Sequence, residues 1–113
     1  MKKWILFIFV SLLISSCAVQ NSMYVWADYK TVLARYTEKP NNANRSELEA
    51  CLFRIISSSA QQKKRIPPGI YLQYGYLMAV EGKLEMANQY YTLEKNLYPE
   101  SVELVNEMES KLK

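Results

Sequence analysis

The chain has 113 residues, of which 14 are basic and 11 acidic, and it contains no histidine. This length allows one small domain. The formal charge of +3 gives little basis for the basic face that nucleic-acid binding normally requires, and the lack of histidine removes the most frequent general base. The composition therefore argues against nucleic-acid binding and against histidine-dependent catalysis.

The first 17 residues have the pattern of an export signal. Lys2 and Lys3 precede an apolar run over residues 4–14, and small residues then lead to Cys17. As a helix this run spans roughly 16 Å, far short of the ~30 Å hydrocarbon core of a bilayer, so a permanent transmembrane helix is the weaker alternative. We predict that residues 1–16 are a cleaved signal peptide.

The segment Ile14-Ser15-Ser16-Cys17 resembles the bacterial lipobox. This resemblance implies that Cys17 is acylated and becomes the first residue of the mature protein, and Ala18 after it implies sorting to the outer membrane of a Gram-negative cell, on the periplasmic face. Several acyl chains would make the attachment permanent. Residues 17–22 would be the lipidated N-terminus and a tether, and the tether of residues 18–22 reaches at most about 17 Å. Without the signal the chain keeps 12 basic and 11 acidic side chains and is nearly neutral.

Residues 23–113 are predicted to form one all-α domain of about five helices. The first covers about residues 23–37, where Val25, Trp26, Tyr29, Leu33 and Tyr36 recur at helical spacing. After a loop at residues 40–44, Ser46 and Glu49 have the form of a capping box, which predicts a second helix from residue 46 to about 62. Cys51 lies on the apolar stripe of that helix and is expected to be a buried hydrophobe.

Three consecutive cations, Lys63, Lys64 and Arg65, follow the second helix. They can complement the negative C-terminal end of that helix and remain solvated. They can also contact anionic lipid headgroups or a protein partner. The sequence leaves both interpretations open.

A third helix is predicted to begin at Pro68, because proline suits the first helical position. It is apolar on nearly all sides from residue 70 to 80, so it should be the central element. Gly75 in its middle predicts close packing against Ala87 of a fourth helix over residues 84–98, with the turn at Gly82. Pro99 should end that helix. Ser101 is expected to cap a fifth helix over residues 102–112, which would cover the end of the domain.

Residues 67–101 resemble one tetratricopeptide repeat. The matching positions are Tyr71, Tyr74, Gly75, Ala87, Tyr91 and Pro99. In such repeats the first helix lines a concave binding face, and the corresponding positions here are Leu72, Tyr76, Ala79 and Val80. Two interpretations are open: neighbouring helices cover this apolar line, or it is an exposed surface for a partner.

Glu94 departs from the repeat pattern, which expects a small apolar residue there. A carboxylate on a packed stripe needs a hydrogen-bond donor, for which a tyrosine hydroxyl or Arg65 are the candidates. Glu94 could make a structural hydrogen bond, take part in partner binding or act in catalysis, and the sequence favours the structural hydrogen bond.

The chain from Tyr24 to Ser101 resembles the DUF4810-type small bacterial outer-membrane lipoproteins of unknown function. The blocks that carry this resemblance are Tyr24-x-Trp26-x-x-Tyr29, residues 67–75, Gly82-Lys83, Tyr91-x-x-Glu94-Lys95 and residues 98–101. The resemblance implies a tetratricopeptide-like fold and association with a lipoprotein similar to the curli secretion pore.

No residue constellation in the sequence indicates catalysis, a metal site or a cofactor. Asp28 is the single aspartate, the glutamates are spread along helix surfaces, and the glycines are explained by turns and packing. We therefore expect a non-enzymatic, membrane-anchored interaction or assembly factor whose partner is another outer-membrane lipoprotein. The alternative is a stand-alone periplasmic module that binds peptides or glycans.

Overall fold

The computed structural model describes residues 23–112. The predicted signal peptide (1–16) and the lipidated tether (17–22), including Cys17, lie outside the described residues. The helices in chain order are α1 Tyr29–Glu38, α2 Asn42–Gln61, α3 Ile70–Val80, α4 Leu84–Leu97 and α5 Val102–Ser110, with a 3₁₀ turn at Pro99–Ser101 before α5. Residues 23–112 contain no strand, and the prediction of an all-α fold is confirmed.

Consecutive helices are antiparallel neighbours. Arg35 of α1 is paired with Glu47 of α2, and farther along the same helices Asp28 lies next to Arg54, with 3.4 Å between Oδ1 and Nη1. At the other side of the domain, Lys95 Nζ on α4 lies 2.9 Å from a carboxylate oxygen of Glu109 on α5. These ion pairs help to fix how the helices are aligned along their lengths. Exposed ion pairs of this kind contribute little to the free energy of unfolding.

The core lies between α2, α3 and α4. The fully buried apolar side chains include Val32, Leu48, Cys51, Leu52, Ile55, Ile70, Leu77, Met78, Ala87, Tyr91 and Val105. Helix α3 contributes to it from several sides, because Ile70, Leu77 and Met78 are all at most 1% exposed. A helix that is apolar nearly all round is buried in this way, so α3 is the central element.

The α3 and α4 helices approach each other at Gly75. A Cβ atom at this position would lie 2.8 Å from two ring carbons of Tyr91 and 3.2 Å from the carbonyl oxygen of Ala87. The turn that reverses the chain contains Gly82 at φ +81°, in the left-handed region that favours glycine. A T-shaped contact between Tyr74 and Tyr90, with ring centroids 4.6 Å apart, extends the helix pair.

The start of α1 differs from the predicted residue 23. Ala27 has φ +47°, and the Tyr29 N–H donates to the Trp26 carbonyl at 3.1 Å, so a turn precedes the helix. The aromatic rings of residues 24–29 therefore pack against one another before the helix begins. The Trp26 ring centroid lies 6.0 Å from that of Tyr24 and 5.7 Å from that of Tyr29.

The predicted capping box at Ser46 is wrong. Helix α2 begins at Asn42, because the Asn41 side chain accepts a hydrogen bond from the Asn44 N–H at 2.8 Å and so caps the helix five residues before Ser46. Ser46 lies inside the helix. The predicted loop at residues 40–44 is correspondingly shorter.

The third helix begins at Ile70 and not at Pro68. Gly69 has φ +88°, which is left-handed and interrupts helical geometry, while its carbonyl accepts the Gln73 N–H at 2.9 Å. Pro68 thus belongs to the preceding turn. Helix α4 ends at Leu97, one residue earlier than predicted, and α5 ends at Ser110. Ser101 occupies the N-cap position of α5 but makes no side-chain capping hydrogen bond.

A candidate partner-binding groove on helix α3

An open groove runs along α3 between α1 and α5. It consists of two adjoining cavities of about 300 and 240 Å³, which share Tyr76 and Met108. The first is also lined by Tyr29, Gly69, Leu72 and Gln73, and the second by Ala79, Val80, Leu84, Tyr91, Lys111 and Leu112. We call this surface the α3 groove.

The four positions inferred from repeat geometry all lie in the α3 groove. Tyr76 is 42% exposed and Val80 is 44% exposed, whereas Leu72 and Ala79 are half-buried. The helices of residues 23–112 thus cover this apolar line only in part. Exposed apolar side chains that are contiguous in this way are characteristic of interaction surfaces.

Sequence reasoning missed the walls of the groove. One wall comes from α1, where the Tyr29 hydroxyl donates to Gln73 Oε1 at 2.6 Å, and burial raises the pKa of Tyr29. The other wall is formed by Met108 and Leu112. The narrow apolar face of the last helix could have indicated the wall formed by Met108 and Leu112. No local sequence pattern could have indicated the Tyr29 wall, because Tyr29 and Gln73 are 44 positions apart in the chain.

The chemistry of the groove suits binding. Its floor is aliphatic and aromatic, and its polar groups are the Gln73 amide, tyrosine hydroxyls and the Lys111 ammonium. The side chains lining the two cavities include no carboxylate or thiol that could act as an acid or a nucleophile. Apolar pockets with a few polar groups accept side chains of a bound chain or ligand.

Glu94 is fully buried and is not among the residues that line the groove. Its Oε1 accepts a hydrogen bond from the Gly69 N–H at 2.6 Å, at the positive N-terminal end of α3. The donor is therefore a backbone group, and neither a tyrosine hydroxyl nor Arg65 supplies it, contrary to the sequence-based expectation. Burial raises the pKa of Glu94, while the nearby N–H groups of Gly69 and Leu72 act in the opposite direction.

The second carboxylate oxygen of Glu94, Oε2, is buried and has no hydrogen-bond partner among the described residues. Since Gly69 and Leu72 line the first cavity, Glu94 fixes the floor of the groove from below. Its contribution to the site is to position α3.

Arg65 contacts the end of α4. Its guanidinium donates to the Leu97 carbonyl and lies 4.5 Å from the centroid of the Tyr98 ring. The Tyr98 hydroxyl in turn donates to the Ile66 carbonyl at 2.6 Å. Burial, together with the nearby Tyr24 hydroxyl, raises the pKa of Tyr98 to about 12. This cluster holds the turn before α3 against the end of α4.

Other groups that could carry chemistry are accounted for structurally. Cys51 is 2% exposed, and burial followed by the neighbouring Asp28 raises its thiol pKa to about 11, which suppresses the reactive thiolate. Burial and a hydrogen bond to Glu81 raise the pKa of Glu49, while that bond lowers the pKa of Glu81. Arg45 and Lys83 lie beside this carboxyl pair.

Within residues 23–112 no group of three or more potential metal ligands comes together. Among the helices that the structure describes, none combines the length and the apolar character needed to cross a bilayer.

Residues 23–108 match the model of a family described as a domain of unknown function, DUF4810, and the match covers about three quarters of the chain. No curated protein and no solved structure matches the chain.

Proposed function

The chain belongs to the DUF4810 family, and we propose that it is an outer-membrane-anchored lipoprotein that binds a protein partner in the α3 groove. Its role would be assembly or stabilisation of an envelope complex without catalysis. The observation that carries this proposal is the partial exposure of Tyr76 and Val80 on a helix that is otherwise core.

Energetic reasoning favours a partner on this surface. Tyr76 and Val80 lie beside Met108 and Leu112 in one continuous apolar strip. Fully burying side chains of this kind is worth about 1.5–3 kcal/mol each. Tyrosine is also enriched among the residues that dominate binding energy at protein interfaces. A partner segment with two or three apolar side chains would fit the two cavities.

The proposed address narrows the class of partner. The lipobox-like segment ending at Cys17 supports acylation, and a tether of residues 18–22 reaches at most about 17 Å. A partner must then lie close to the same membrane. Another outer-membrane lipoprotein, of the type similar to the curli secretion pore, satisfies this requirement.

Co-purification from detergent-extracted membranes tests the proposal. The wild-type chain should retain one lipoprotein in constant ratio. Tyr76→Ser/Val80→Ser should lose it by at least about ten-fold, because the change removes roughly 1.4 kcal/mol or more of apolar burial. The matched control is Phe53→Ser/Met86→Ser, which changes two exposed apolar residues outside the groove and should retain the partner.

Retention of the partner by the Tyr76→Ser/Val80→Ser variant would contradict the role of the groove. A monodisperse wild-type monomer that retains no lipoprotein but binds added peptides or glycans would identify a stand-alone binding module instead. Circular dichroism of each variant establishes that its helices are intact.

A further inference from the structure

Two of the three cations that follow α2 have no partner within the described structure. Within the described structure the ammonium groups of Lys63 and Lys64 make no hydrogen bond or ion pair, whereas the Arg65 guanidinium binds the Leu97 carbonyl. The end of α2 does not need the lysine side chains, because the backbone N–H groups of Lys63 and Lys64 already donate to the carbonyls of Ala60 and Ser59 at 3.2 and 2.8 Å. Two positive charges are therefore available to an external anion.

These cations lie at the same end of the domain as its first described residues. Arg65 lies over the Tyr98 ring, and the Tyr24 hydroxyl is close enough to that of Tyr98 to raise its pKa. The Trp26 ring is 6.0 Å from the Tyr24 ring, centroid to centroid. The first described residues thus lie beside the cations.

Large apolar side chains are exposed around the cations. Trp26 is 41% exposed and Leu93 is 42% exposed, and Leu93 lines a cavity of about 420 Å³ together with Lys64 and Arg65. We call the surface formed by Trp26, Lys63, Lys64, Arg65 and Leu93 the basic end. Unpaired lysines mixed with tryptophan and leucine are the composition of surfaces that rest at a bilayer interface.

Acidic groups near the basic end reduce its charge only partly. Glu94 is fully buried, and Asp28 lies beside Arg54. Glu100 is exposed and offsets one positive charge. The basic end keeps a net positive charge, which complements an anionic surface.

We propose that the basic end rests on anionic lipid headgroups, with Lys63 and Lys64 as the headgroup contacts and Trp26 at the interface. This inference rests on the proposed lipid anchor and gives the domain an orientation. The start of α3 faces the membrane and the Gly82 turn points away. The α3 groove then extends from the membrane surface outward, where a second membrane-anchored protein can enter it from the side.

Fluorescence of Trp26 tests this orientation. Loss of residues 1–16 removes Trp4 and leaves Trp26 as the sole tryptophan. The lipidated protein is reconstituted in vesicles of phosphatidylcholine alone or mixed with phosphatidylglycerol, each carrying brominated acyl chains. We expect Trp26 to be quenched more strongly in the mixed vesicles.

The variant Lys63→Gln/Lys64→Gln should lower quenching to the level seen with phosphatidylcholine. Each lysine near an anionic surface contributes roughly a five-fold factor, so the membrane-facing population falls roughly thirty-fold. The matched control is Lys39→Gln/Lys83→Gln, which removes the same charge at the opposite end of the domain, where Lys39 follows α1 and Lys83 follows the Gly82 turn, and its quenching should stay at the wild-type level.

Equal quenching in the two vesicle types, or equal effects of the two double variants, would overturn the inference. Flotation of the vesicles separates this failure from failure of the anchor. A chain that floats with unquenched Trp26 is anchored but not oriented as proposed, whereas a chain that does not float lacks the anchor itself. Unchanged quenching together with loss of the co-purified lipoprotein in Lys63→Gln/Lys64→Gln would assign the basic end to a protein partner.

Discussion

Glu94 is the residue that most clearly links sequence, fold and site. A fully buried carboxylate is costly unless it is hydrogen-bonded, and the Gly69 N–H at the start of α3 supplies the bond. The repeat pattern alone identified Glu94 as exceptional. It could not identify the donor, because a backbone N–H becomes available only where Gly69 adopts its left-handed geometry, 25 residues away.

Substitution of Glu94 should separate its hydrogen bond from its charge. Glu94→Ala leaves the Gly69 N–H without a partner and should lower the free energy of unfolding by about 2 kcal/mol or more. Glu94→Gln keeps a carbonyl oxygen for this N–H and should cost about 1 kcal/mol or less. Urea denaturation at pH 7 measures both, and equal losses in the two variants would contradict the assigned hydrogen bond.

Titration of Glu94 should make the free energy of unfolding depend on pH. Burial raises the pKa of Glu94 above its usual 4.5, so the folded chain binds this proton more tightly than the unfolded chain. The resulting stabilisation is complete below pH 4.5 and is lost as the pH rises through the folded pKa. As the pH rises over this range, the wild type should therefore lose unfolding free energy relative to Glu94→Gln. A pH-independent difference would contradict the raised pKa of Glu94.

At the scale of elements, the start of α2 distinguishes two capping residues. Asn41 accepts the Asn44 N–H, whereas Ser46 lies exposed inside the helix. Asn41→Ala should lower the free energy of unfolding by about 1 kcal/mol, and Ser46→Ala should change it by less than about 0.5 kcal/mol. Thermal or urea unfolding checks this pair. The reverse order would restore the capping box that the sequence suggests.

The α3–α4 contact at Gly75 gives a second prediction at this scale. Gly75→Ala gains about 1 kcal/mol of helix propensity but places a methyl group against the buried Tyr91 ring, which should cost about 1–3 kcal/mol. We expect a net loss of unfolding free energy of about 1 kcal/mol.

In a Tyr91→Leu background, the same Gly75→Ala substitution should be neutral or stabilising, because the clashing ring carbons are gone. A double-mutant cycle by urea unfolding measures this coupling. Additive effects of the two substitutions would show that another contact determines the need for glycine.

The helix ends predicted from the sequence are accurate where a nearby residue marks them strongly. Gly82 and Pro99 bracket α4 to within a residue, because a left-handed turn and a missing N–H act locally. The N-terminal part was harder. The ring spacing around Trp26 imitates a helix, and consecutive asparagines favour turns in general, although here Asn41 caps α2.

At the scale of the whole molecule, the groove is a product of tertiary packing. Repeat geometry predicts Leu72, Tyr76, Ala79 and Val80 as one line on α3, and all four line the groove. The walls from Tyr29 and Met108 depend on how α1 and α5 pack against α3, and sequence periodicity does not determine that packing. The same packing leaves the groove and the basic end on one rigid domain.

Photocrosslinking in intact cells tests the central claim, occupation of the α3 groove by a membrane-anchored protein, most directly. A benzophenone amino acid replaces Tyr76 in one strain and Gln89, exposed on the outer face of α4, in another. We predict that irradiation links Tyr76 to one outer-membrane lipoprotein and that Gln89 gives no such product. Absence of a product at Tyr76, or the same products at both positions, would contradict the account.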